Sequence, residues 1–165
     1  KNLIRLDEHC FYVDVEYILY PIPYVNTVIY FDTFVYMYRL AQVNQSVSIK
    51  GFQKHIQNHI DVILHVLDHI EAYGKSKDAD RTKLEFMERR IADMVNDQTD
   101  IFMSFPSGDK DILRRFKEFD AEVRRKSQRV YERSGELSKT LRLLRSSGFR
   151  LYKPAVWLSR IKRRD

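Results

Sequence analysis

The sequence predicts a mainly α-helical protein, an antiparallel bundle of about four helices that includes one long basic helix towards its C-terminal end. Three observations lead there. Glycine and proline are scarce, 5 and 4 in 165 residues, whereas all-β folds need frequent turn residues. Apolar residues make up 44% of the chain and charged residues 32%, which suits a real core covered by helices with well-solvated outer faces. Three stretches also repeat their apolar residues at helical spacing.

Residues 1–25 form an aromatic-rich arm. Phe11 to Tyr17 alternates apolar and acidic residues as a short strand does. Pro21 and Pro23 interrupt whatever precedes them, because proline lacks an amide donor and restricts its predecessor. Strand, helix and extended arm all remain open for this opening.

Residues 26–148 read as the helical bundle. From Asn26 to about Gln42, apolar residues cover most of a helical circumference. The β-branched and aromatic content favours a buried strand pair. The length without a turn signal favours a buried helix capped by Asn26, which is the preferred reading. Val43 to Gly51 is a polar loop. Phe52 to Tyr73 is the clearest amphipathic helix, with Ile56, Ile60, Ile63, Leu67 and Ile70 on one face and Gly74 as its stop. A third helix runs from about Asp80 to Phe102 before Pro106, with Leu84, Met87, Ile91, Met94, Val95 and Ile101 inward.

Ser107 or Asp109 can cap the next helix, whose first turn is acidic. Its inward set is Ile112, Phe116, Phe119, Val123, Val130, Leu137, Leu141 and Leu144. That spacing predicts one helix of about 35 residues, or about 50 Å. Lys126 and Arg133 fall at inward positions of the same helix, and Gly135 offers a break. Ser146, Ser147 and Gly148 end it. Residues 149–165 form a basic, aromatic tail, with Pro154 in the first turn of a short final helix.

Charge is divided unevenly along the chain. From Arg114 onward 17 Lys and Arg stand against 6 Asp and Glu, a net of +11. The 113 residues before carry 12 against 17, a net of −5, and the whole chain is +6. Such asymmetry calls for an anionic partner, or for docking of the basic third on the acidic two-thirds. Arg115, Arg125, Lys126, Arg129 and Arg133 fall within about 100° of arc on a continuous helix. Twelve of the 17 cations are arginines, whose planar fork suits phosphate. In the tail, Arg150, Lys153, Arg160, Lys162, Arg163 and Arg164 surround Trp157, and an aromatic among cations can stack on an unpaired base. The partner classes that follow are nucleic acid or another polyanion first, an acidic protein surface second, and an anionic membrane surface third. For the first of these, a larger assembly is the expected setting.

Other chemistry is weakly signalled. His55, His59, His65 and His69 lie on one helix as two i, i+4 pairs, a spacing that can chelate a metal. No glutamate is embedded as in His-Glu-x-x-His, so a band of histidines at the core rim is the preferred reading and no cofactor is assigned. A single cysteine, Cys10, excludes an internal disulfide and a Cys-based zinc site, and favours a reducing compartment. No phosphate-binding glycine loop and no nucleophile signature is present, which leans the reading away from an enzyme. The longest charge-free apolar stretch, Tyr17 to Phe31, contains two prolines and is shorter than the about 20 residues a membrane-spanning helix needs.

Overall fold

The computed structural model describes residues 4–37 and 48–162. The loop expected at 43–51 lies largely outside those residues, as does the end of the segment expected to start at Asn26. Eight helices pack together, and no strand occurs among the described residues. In order they are α1 (Asp14–Leu19), α2 (Ile49–Lys54), α3 (Ile56–Gly74), α4 (Arg81–Ser104), α5 (Lys110–Lys126), α6 (Gln128–Leu137), α7 (Lys139–Ser146) and α8 (Tyr152–Lys162), with a 3-10 turn at Ile22–Tyr24.

Helices α3 and α4 form the centre. Ile56, Ile60, Ile63, Val66, Leu67 and Ile70 line one face of α3, and all are buried. They meet Met87, Ile91, Val95 and Phe102 of α4, which are fully buried. Helix α5 packs on α3 and α4, and α6 packs on α4 and α5. The caps follow local chemistry. Asp80 Oδ1 accepts the Lys83 amide at 3.0 Å. Asp109 Oδ1 accepts the amides of Asp111 and Ile112 at 3.0 and 3.1 Å. Each satisfies amides that have no partner inside the helix.

Two expectations for the first 37 residues are corrected. The stretch read as a strand at Phe11–Tyr17 becomes α1, because Val15 and Leu19, four residues apart, both enter the core against α3. Residues 26–37 form neither helix nor strand and are exposed: Val28, Tyr30, Phe34 and Val35 are each more than four-fifths exposed. Val25, Thr27, Val28, Ile29, Thr33 and Val35 are β-branched and lose side-chain freedom in a helix. An apolar set spread round the whole circumference also gives a helix no single face to bury.

The single long basic helix is also corrected. It is three helices, broken at Ser127 and Ser138, and Gly135 is not a break. Both serines have extended backbone, with φ −150° and −118°. Ser127 Oγ accepts the Val130 amide at 3.3 Å, and Ser138 Oγ accepts the Leu141 amide at 3.1 Å. Each hydroxyl offers the chain a new helix start in place of continuation. The breaks reset the helical phase, so Arg133 and Leu137, inward on a continuous helix, are exposed. Replacing either serine by alanine is expected to lower the free energy of unfolding by about 1 kcal/mol in urea titration. An unchanged midpoint would show that the hydroxyl does not hold the break.

Helix α7 ends in a Schellman turn. The Phe149 amide donates to Leu144 O at 2.7 Å and the Gly148 amide to Arg145 O at 3.0 Å. Gly148 takes a left-handed φ of 58° there, which glycine adopts without steric penalty. The predicted stop at Gly74 is instead the last residue of α3, and Lys75 follows as the cap in right-handed conformation. Helix α8 then docks by one face. Tyr152, Ala155 and Val156 are buried, whereas Trp157 and Leu158 are 63% and 55% exposed.

Candidate polyanion interface

The break at Ser127 creates a concave surface where α5 meets α6. Arg124, Arg125 and Lys126 end α5, Ser127 makes the turn, and Gln128 and Arg129 begin α6. With Ile70, Glu71, Gly74 and Lys75 of the α3 end, and Leu84 and Glu88 of α4, they line a cleft of about 530 Å³. Its rim carries five cations against two carboxylates. The N-terminus of α6 begins at this cleft, with the Val130 amide capped by Ser127 Oγ, and the positive end of the helix dipole adds to the cationic field.

Several of these cations are already engaged. Arg125 pairs with Glu122 at 2.7 Å, Lys75 with Glu71 at 2.9 Å, and Lys126 reaches across to Asp68 of α3. Arg129 stands 3.7 Å from Glu88. Burial raises the Glu88 carboxyl above its ordinary value, while Arg129 and Arg133 pull it down. The Arg125–Glu122 and Lys75–Glu71 pairs are exposed and each worth roughly 0–1 kcal/mol, so a phosphate can displace them, whereas Lys126 and Glu88 are the largely buried halves of the other two. Arg124 lies over the Tyr131 ring, 5.5 Å from its centroid, with no carboxylate partner among the described residues.

The remaining predicted cations are dispersed. Arg115 turns to α3 and donates to Gln57 Oε1 at 2.8 Å. Arg133 is exposed on α6 beyond the cleft. Arg150 borders a shallow depression with Ser146, Ser147, Gly148 and Leu151. Lys153, Trp157 and Arg160 lie on α8, where Arg160 donates to Phe105 O at 3.1 Å. Arg163 and Arg164 lie outside the described residues, and so does the side chain of Lys162. Among the described residues, Arg115, Lys117, Arg124, Arg133, Lys139, Arg142, Arg150, Lys153 and Arg160 form no ion pair with a carboxylate. The basic third is therefore only partly neutralised within the molecule.

Sequence reasoning did not single out Arg124, which shares the cleft. Its place directly before Arg125 was the available signal. Arg145 was also not singled out, and it serves the core: it pairs with buried Asp120 at 2.7 Å.

The four histidines have separate environments. His59 is buried with Nδ1 2.8 Å from Gln98 Oε1, and burial lowers its pKa. His55 lies at the α2–α3 break with its ring 3.8 Å from that of Phe11. His69 rests on Tyr20 at 4.7 Å, its pKa also lowered by burial. His65 is exposed and bonds Asp7 at 2.7 Å. Among the described residues neither i, i+4 pair forms a metal cluster as a pair; of the four, His65 lies beside Asp7 and Glu16.

No helix among the described residues is long and apolar enough to cross a membrane. No protein-family model, characterised protein or solved structure matches this chain.

Proposed function

We propose that the chain is a non-enzymatic helical subunit that binds a polyanion, nucleic acid foremost, through its C-terminal third. The observation that carries this reading is the set of basic side chains there that, among the described residues, form no ion pair with a carboxylate, together with the cationic cleft at the α5–α6 junction. Backbone phosphates would sit against Arg124, Arg125 and Arg129, near the first amides of α6. Trp157, exposed between Lys153 and Arg160 on α8, is placed to stack on an unpaired base, a contact worth about 1–3 kcal/mol.

Fluorescence anisotropy with labelled single- and double-stranded DNA and RNA tests the reading. Counterion release predicts steep salt dependence, about a 10³–10⁵-fold loss between about 50 and 200 mM salt if six to ten phosphates are contacted. The variant Arg124→Glu/Arg125→Glu/Arg129→Glu is expected to weaken binding to all sequences alike and to flatten the salt slope. Absence of association at low salt, or unchanged binding by this variant, overturns the reading.

A second reading is a protein-interaction module for an acidic amphipathic segment. What favours it is a mainly apolar groove of about 440 Å³ between α7 and α8, lined by Leu143, Leu151, Pro154 and Leu158. Deleting α8 without losing an acidic partner would eliminate this role.

A further inference from the structure

Away from the basic third, the structure brings together three metal-ligating side chains from three stretches of chain. Asp7 precedes α1, Glu16 belongs to α1, and His65 lies on α3. One ligand atom of each lies within 4.8 Å of the other two. His65 Nδ1 and Asp7 Oδ2 are 2.7 Å apart. Glu16 is fully buried. Its Oε2 accepts the Asp7 amide at 2.8 Å, and its Oε1 accepts the Tyr20 hydroxyl at 3.2 Å.

A buried carboxylate is strongly unfavourable unless a positive charge compensates it. Both donors to Glu16 are neutral, and no Lys or Arg among the described residues forms an ion pair with Glu16 or Asp7. Among the described residues, the ring of His65 is the basic group that bonds one of these carboxylates, with Nδ1 2.7 Å from Asp7 Oδ2. Two carboxyl groups and one imidazole thus meet at a partly buried point.

We propose that Asp7, Glu16 and His65 bind a first-row divalent cation of the zinc or manganese class, which clips the N-terminal segment to α3. One imidazole nitrogen with two carboxylate oxygens suits these metals better than calcium or magnesium, which favour all-oxygen shells. Bonds of about 2.1 Å in tetrahedral geometry place ligand atoms about 3.4 Å apart, so the observed cluster needs small side-chain adjustments. Glu16 is fixed because its neighbour Val15 and then Leu19 anchor α1 in the core. His65 is fixed by the middle of α3. The side chains of His65 and Asp7 are 52% and 35% exposed, which gives the ion an approach and leaves room for water in the remaining positions. The site is independent of the polyanion reading.

Calorimetric titration of the whole chain with zinc chloride, and separately with manganese chloride, tests this. One equivalent of at least one metal is expected to bind. His65→Ala and Asp7→Asn each alter a solvent-accessible side chain, and both variants are expected to fold with unchanged circular dichroism. Each is expected to weaken binding by about 100-fold or more, the upper range for loss of even an indirect partner of a metal site. In hydrogen exchange, metal is expected to raise amide protection in the segment around Asp7 in the parent chain and in neither variant. Absence of binding by both metals, or one equivalent retained by either variant at the parent affinity, overturns the assignment.

Discussion

Replacing Arg145 by methionine is expected to lower the free energy of unfolding by about 3–5 kcal/mol, because it leaves one half of a buried ion pair without its partner. Arg145 and Asp120 are each 8% exposed in their side chains. Arg145 Nε donates to Asp120 Oδ1 at 2.8 Å, and Nη2 lies 2.7 Å from the same oxygen as an ion pair. Nη1 donates to Tyr131 O at 2.5 Å and Nη2 to Ser134 Oγ at 3.1 Å. The guanidinium also lies over the Tyr131 ring, 3.6 Å from its centroid. One side chain thus joins α5, α6 and α7 across both serine breaks. Gly135 belongs to the same arrangement: a Cβ there would stand 3.1 Å from Arg145 Nη1, so the missing side chain leaves room for the guanidinium.

The loss should depend on pH in a definite direction. Burial raises the Asp120 carboxyl above its ordinary value even though Arg145 lowers it. Without Arg145 the rise is larger. A carboxyl raised in the folded state contributes stability in acid and loses it as pH climbs through the folded value. Urea unfolding should therefore show the widest deficit at neutral pH, narrowing as the solution is acidified towards the ordinary carboxyl value of about 3.9. A deficit that stays flat over that range would show that Asp120 is not left charged and buried. Adding Asp120→Leu to Arg145→Met should recover part of the loss, since an apolar pair has no uncompensated charge.

Local chemistry made the centre of the fold legible and the long-range partners illegible. The apolar faces of α3 and α4, the start of α4 near Asp80 and the cap at Asp109 follow from spacing and from residue type within a few positions. The breaks at Ser127 and Ser138 left a trace too: Lys126 and Arg133 at inward positions were signs of a phase reset, and a serine stood beside the first of them. Arg125, Lys126 and Arg129 share one cleft because five residues of chain hold them near each other. Arg115 and Arg133 separate because their predicted stripe required unbroken helical phase. The band of histidines on α3 was readable as spacing, but its meaning depends on Phe11, Asp7, Tyr20 and Gln98. Those partners come from elsewhere in the chain, and no local pattern announces them. The apolar residues at 26–37 mark the reverse failure, where hydrophobic content alone suggested burial.

Phe116→Ala is expected to destabilise the protein by about 3–5 kcal/mol, a large share of the about 5–15 kcal/mol that holds a typical domain folded. Phe116 is 1% exposed. Its ring stacks on Phe102 of α4 at 4.6 Å, and meets Phe149 and Tyr152 at 4.9 and 6.2 Å, each near edge-on. Tyr152 in turn donates its hydroxyl to Phe102 O at 2.9 Å. The ring of Phe116 is therefore the surface on which the α7–α8 turn rests, with Phe149 held there in left-handed backbone at φ 62°. Removing it should release α8 before the rest unfolds. Trypsin should then cleave after Arg150 faster than global unfolding allows, whereas Trp157→Ala, at a mostly exposed position, should change stability by less than about 1 kcal/mol. Equal losses from the two substitutions would mean that α8 docks by its tryptophan face. The outward tryptophan and its basic neighbours would then be unavailable to a polyanion, so this stability measurement also bears on which face of the tail is offered to a partner.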